Sequence, residues 1–162
     1  MSFEKEKAYF DSVGLSDRVT VREQIGDAVE HAAASIGCEP ARIAKTMSFM
    51  LDDSPTLVVS AGDAKVNSSK FKAVFYQKAV MIPWEQVEML TGHEPGAVFP
   101  FALYEGARVY LDISLEHLEN IHAAGGSLNS IVHLTMDELI VHSHMIDWVD
   151  LCKGWLVNDE IC

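Results

Sequence analysis

Residues 42 to 51, RIAKTMSFML, alternate as a strand, with Lys45, Met47, Phe49 and Leu51 on one face and Thr46, Ser48 and Met50 on the other. An ammonium group is thereby aimed along the apolar side. A lysine so placed can hold a phosphate or carbonyl oxygen as a fixed point charge; a lysine on a solvated face is the plainer alternative. A second stretch, TGHEPGAVFP, sets Gly92 and Gly96 among Pro95 and Pro100. Backbone N–H groups in a stiff glycine loop can bind an oxyanion, although on spacing alone a helix C-cap with an ordinary connection explains it more simply. His142 and His144 in HSH lack the three- or four-residue helical spacing of a metal pair, and no further ligand is signposted. There is no G-x-S-x-G elbow and no G-x-x-x-x-G-K-[ST] loop. Cys38 follows a helix-stopping glycine and has no obvious base partner.

The elements that must position these residues belong to a 162-residue chain, enough for one domain with a full core. Apolar residues make up 49% and charged residues 22%, as in a soluble globular protein. No apolar run approaches the ~20 residues of a membrane span, and MSFEKEKAYF has no apolar signal core, so the expected location is the cytoplasm. Cys38, Cys152 and Cys162 are too few and scattered for a disulfide framework. The net charge of −12 argues against DNA and general nucleic-acid binding. The distribution qualifies this, because residues 42 to 78 carry six basic and three acidic side chains. A local anion-facing patch is therefore compatible with the acidic whole.

The spacing predicts a helix over 3–13 with Ser2 as cap and Gly14 as stop, then a strand in RVTVRE. A helix follows from Asp27 to Gly37, with the Lys45 strand after it. A four-residue turn DDSP leads to the strand TLVVSAG, making a hairpin. Next come a capped helix NSSKFKAVF, a short strand AVMI and a helix PWEQVEMLTG. Strands are predicted in ARVYLDIS, IHAAGGS and SIVHL, with a short helix in SLEHLEN. Thr135 and Glu138 form a capping box for a helix starting at Met136. Without a strict βαβ rhythm, the expected fold is α+β: one mixed, largely antiparallel sheet flanked by helices. Residues 1–144 read as the domain and 145–162 as a C-terminal extension.

IAKT with its apolar strand, LVVSAGD, TGHEPGAVFPF, VYLD, SL and the AAGG turn together resemble the YbaK/EbsC family, from about Ala28 to Leu139. That family comprises free-standing aminoacyl-tRNA deacylases and the editing domain inserted in bacterial prolyl-tRNA synthetases. The resemblance implies a sheet curled around a pocket, with Lys45 as the catalytic residue. It places Thr46, Gly92, Gly96, Val98, Pro100 and Asp112 at the substrate, with no metal and no cofactor. Thr46 matches the branch acting on cysteinyl-tRNA(Pro); the alanine-specific branch has asparagine there. Ala97 and Ala102 stand where relatives often carry glycine, and His93 where an aromatic is common. The implied activity is hydrolysis of a mischarged tRNA, such as tRNA(Pro) carrying Cys or Ala. Its partners are the aminoacylated acceptor end and an aminoacyl-tRNA synthetase, with no membrane or DNA. Met47, Phe49 and Val98 would line a pocket for a small side chain. Two alternatives stay open: a non-catalytic nucleotide- or protein-binding module, and an esterase for small amino-acid esters.

Overall fold

The computed structural model describes residues 8–15, 19–21, 43–93, 98, 100–101, 103–116, 118–124 and 130–154. The expected helix from Asp27 to Gly37, together with Gly96, Cys38 and Cys162, lies outside them. A mixed seven-stranded sheet runs in the order β1-β7-β6-β2-β3-β5-β8. Its strands are β1 (Val19–Val21), β2 (Ile43–Leu51), β3 (Ser54–Ala61), β5 (Arg108–Asp112), β6 (Asn120–Ala124), β7 (Ser130–Thr135) and β8 (Asp147–Val149). A two-stranded ribbon pairs β4 (Lys65–Val66) with β9 (Cys152–Lys153). The longest junction, β2 with β3, is antiparallel, as are β6–β7 and β1–β7. The shorter junctions β2–β6, β3–β5 and β5–β8 are parallel. The sheet is therefore mixed and mostly antiparallel by length, as expected.

The hairpin turns on two residues rather than four. Asp52 and Asp53 both adopt positive φ (49° and 62°), the left-handed pair that a two-residue hairpin turn requires and aspartate tolerates. Pro55 then lies inside β3 opposite Met50. The Met50 N–H points the other way, to the Val80 carbonyl, so the missing proline N–H interrupts no bond of this pair. The AVMI stretch reduces to a single bridge, Phe49 to Met81.

Both faces of the central strands are buried. One carries Leu57, Val59, Val109, Leu111, Ile121, Val132 and Leu134, all in the core. On the other, Phe49 and Tyr110 meet helix α1 (Ser68–Phe75), through ring contacts running Phe49–Phe71–Phe75–Tyr110 at 4.9 to 5.2 Å. Helix α1 is capped by Asn67, whose side chain accepts from the Lys70 N–H. A 3₁₀ turn (Trp84–Gln86) leads into helix α2 (Val87–Thr91), where one continuous helix was expected. Helix α3 (Met136–Ser143) starts at the Thr135–Glu138 capping box. At SLEHLEN the helix shrinks to a 3₁₀ turn, Ile113–Leu115.

No break in the fold appears at His144. The Ile146 N–H donates to the Val109 carbonyl at 2.7 Å, β8 extends the main sheet beside β5, and Leu151 and Cys152 are fully buried. Residues 145–153 are thus built into the domain, and their removal strips β5 of its partner. Truncation after His144 is expected to lower unfolding stability by at least ~3 kcal/mol, the scale of losing two buried side chains and a sheet edge. Urea unfolding checks this, and an unchanged midpoint would contradict it.

Candidate active site

Lys45 sits on β2 with its side chain half-buried, and its ammonium donates to the Ala64 carbonyl in the turn that follows β3. The hairpin register puts Ser60 directly opposite Lys45. The β3–β5 register, continued by one residue, brings Asp112 beside Ser60. The three side chains therefore share one face in a row across β2, β3 and β5. Lys45 and Asp112 are two strand spacings apart, about 10 Å between backbones.

Asp112 is fully buried, and its two oxygens are engaged separately. Oδ2 accepts from the Ser114 N–H at 3.0 Å and Oδ1 from the Leu151 N–H at 2.8 Å. The resemblance set Asp112 at the substrate; the structure gives its carboxylate to the backbone of the 3₁₀ turn and of the C-terminal segment. Cys152, delivered by β9 and fully buried, lies within electrostatic reach of both this carboxylate and Lys45. Burial pushes its thiol up to about 12; the Asp112 carboxylate adds to the rise and the Lys45 ammonium opposes it. The thiol donates to Asp112, and the Ser60 hydroxyl, near the sulfur, donates to the Ala61 carbonyl at 3.3 Å. The Ser114 hydroxyl in turn accepts from the Ala61 N–H at 3.0 Å.

Thr46 points to the opposite face from Lys45. The edge of β2 around it is split. Strand β6 pairs only with Ile43 and Ala44, while residues 80–82 bond to Ser48 and Met50. By alternation the Thr46 N–H and C=O face the interval, and no described residue pairs with Thr46 there. Met47, two residues along the same face of β2 from Lys45, packs half-buried against the core, and Val98 is likewise half-buried against the core.

The glycine-loop residues form a second group. Gly92 caps α2 with φ +89°, donating its N–H to the Glu88 carbonyl. The Tyr104 N–H donates to the Thr91 carbonyl at 3.2 Å. His93 is fully buried and its Nε2 donates to the Phe101 carbonyl at 2.7 Å, so Nε2 carries the proton. The ring at position 93 thus clasps the start of the loop to Phe101. Pro100 is buried and lines a cavity of about 260 Å³ with Arg108, His142 and His144. His142 Nδ1 lies 3.2 Å from the Tyr9 hydroxyl and His144 takes the left-handed cap of α3, so the HSH pair closes a helix end.

Ser60 and Cys152 escaped the sequence reading. Ser60 follows from the hairpin once its turn is placed at Asp52–Asp53. Cys152 had no local signal, because only the parallel β5–β8 junction and the ribbon bring it to Lys45.

A family model described as the aminoacyl-tRNA editing domain matches residues 23–141. Protein YwhH of Bacillus subtilis (strain 168) is 40% identical over 156 residues, covering 96% of this chain and 99% of YwhH. Proline--tRNA ligase of Bacillus licheniformis is 28% identical over 124 residues, covering 76% of this chain. The match spans only 21% of that ligase. Among solved structures, a candidate trans-editing enzyme for prolyl tRNA synthetase superposes with TM-score 0.84 at 23% identity, covering 94% of this chain and 98% of that one. The fold is thus that of the editing domains. The chain belongs to the aminoacyl-tRNA editing domain family and is a hydrolase of the aminoacyl-tRNA deacylase class.

The thiol supplies a pH test. Cys152 is neutral in both states below the unfolded value of 9.0 and favours the unfolded state between there and about 12, where only the unfolded thiol ionises. Its contribution therefore falls as pH rises, by about 1.4 kcal/mol per unit. In urea unfolding from pH 8 to 11, Cys152→Ala is expected to start less stable and to lose less stability than the parent protein. Parallel pH profiles would contradict the buried neutral thiol.

Proposed function

We propose that this chain is a free-standing editing deacylase that hydrolyses the ester between a small amino acid, such as cysteine or alanine, and tRNA(Pro). It would act in the cytoplasm alongside a synthetase. The observation that carries this reading is the half-buried Lys45 ammonium, held by the Ala64 carbonyl at one end of the Lys45–Ser60–Asp112 row. In this scheme water attacks the ester carbonyl, the bond to the ribose oxygen breaks, and the ribose hydroxyl receives the proton that water gives up. Lys45 supplies a fixed positive charge to a substrate phosphate or to the developing oxyanion. The Thr46 backbone groups on the split edge would dock the aminoacyl group, and Gly96 would lend an N–H to the oxyanion. Gly92 and Pro100 would anchor the ends of that loop, and Val98 and Met47, both half-buried against the core, would supply an apolar wall. Asp112 acts at one remove, holding the segment that places Cys152 beside Lys45. Positioning and electrostatics supply most of the rate. Size selection by such a wall is limited to ~1–3 kcal/mol per methylene.

The test is a panel of mischarged tRNAs with Lys45→Met and Lys45→Arg. Lys45→Met keeps the stem's packing and removes the charge. Deacylation is expected to fall at least ~100-fold while the thermal transition persists. Lys45→Arg fails too, because a planar fork does not replace a point charge. Parent-level hydrolysis by folded Lys45→Met would overturn the mechanism. Turnover of free amino-acid esters without any tRNA activity would instead favour a small-molecule esterase.

A further inference from the structure

We propose that Lys65 and Lys153 form a paired phosphate-binding ledge for the acceptor end of tRNA, beside Lys45. The proposal rests on the deacylase reading above and adds where the nucleic acid is gripped. In the β4–β9 ribbon the register sets Lys65 opposite Lys153 and Val66 opposite Cys152. Cys152 is buried and Val66 half-buried, so alternation sends both lysines outward, and both are exposed. Like charges directly opposite across a strand pair repel, with Cβ atoms about 5 Å apart. A ribbon serving only to fasten the C-terminal segment would be more stable with one of them neutral or acidic. Of the nearby acids among the described residues, Asp150 is taken by Lys70 at 2.8 Å, and Asp63 is half-buried in the turn between β3 and β4.

The ribbon's position gives the repulsion a use. Lys65 follows Ala64, whose carbonyl holds the Lys45 ammonium. Lys65 therefore stands one residue from the carbonyl that holds the inward cation, with Lys153 directly across the ribbon from it, on a chain whose overall charge is −12. A phosphodiester, with oxygens enough for two ammonium groups, relieves the repulsion on binding and releases counterions. It belongs to the same molecule as the ester that Lys45 faces. Lys153 lies beyond the stretch matched by the family model, residues 23–141, so this chain's own C-terminal segment completes the ledge.

The experiment compares the parent protein, Lys65→Gln/Lys153→Gln and Lys65→Arg/Lys153→Arg. Binding of uncharged tRNA is measured by fluorescence titration across salt concentrations, alongside thermal melts. The glutamine pair is expected to bind about tenfold more weakly at low salt. Its log–log salt slope should be shallower by about 1 to 2, and its melting temperature equal or higher. The arginine pair keeps the charge and the binding. Unchanged affinity and slope in the folded glutamine pair overturn the ledge, as does equal weakening in the arginine pair. Binding is read without catalysis, so a parent protein that grips tRNA but cleaves no aminoacyl ester would refute the deacylase reading while leaving the ledge standing. On cleaved substrates, the glutamine pair should raise KM for aminoacyl-tRNA and leave kcat unchanged. A fall in kcat alone counts against the ledge.

Discussion

A buried carboxylate without backbone donors would be among the most costly groups in this core. Asp112 is fully buried and its oxygens take the N–H groups of Ser114 and Leu151. Two consequences follow from those bonds. The chain leaving β5 is forced into the 3₁₀ turn whose Ser114 hydroxyl accepts from Ala61, fixing the end of β3. The segment after β8 is drawn back so that Leu151 also accepts from the Asn67 N–H, which ties it to the start of α1. Charge-assisted bonds to backbone are strong and directional. One side chain therefore sets the relative positions of β3, β5, α1 and the C-terminal segment, and with them the walls around Lys45.

The same constraint explains why a thiol suits position 152. A second charged group beside Asp112 and Lys45 would either quench the ammonium or bury an unpaired charge. Cysteine is small, tolerates burial and stays neutral with its proton directed at the carboxylate. Its sulfur is in reach of both charges of the row, and the Lys45 ammonium donates to the Ala64 carbonyl.

How much of this was legible in the sequence depends on the range of the interaction. Asn67 and Thr135 announced their helices because a cap is decided within four residues. Lys45's face was legible because alternation needs only the strand. The turn was not: reading DDSP as a four-residue connection sets Lys45 opposite Gly62, whereas the Asp52–Asp53 turn sets it opposite Ser60. A shift of two preserves the face and changes the neighbour, so the cation's side was right while its row was hidden. The place of residues 145–153 was hidden for a stronger reason. Strand β8 has three residues and joins the sheet by a parallel junction, which no hairpin signal marks. Asp112 was singled out by resemblance, but its partners lie two and 39 residues away, and the distant one could come only from the fold.

The split edge of β2 is what makes a half-buried lysine compatible with the proposed site. A strand paired along both edges has every backbone group spent, and a ligand can reach only its side chains. Here one edge is handed from β6, at Ile43 and Ala44, to residues 80–82, at Ser48 and Met50. The handover falls beside Lys45, on the residue whose carbonyl and N–H face the interval. Parallel pairing on one side of the interval and a short antiparallel contact on the other prevent either neighbour from simply extending across it. A mixed sheet is therefore more than a topological label in this chain: the change of strand direction leaves, next to the cation, backbone groups that no described residue pairs with.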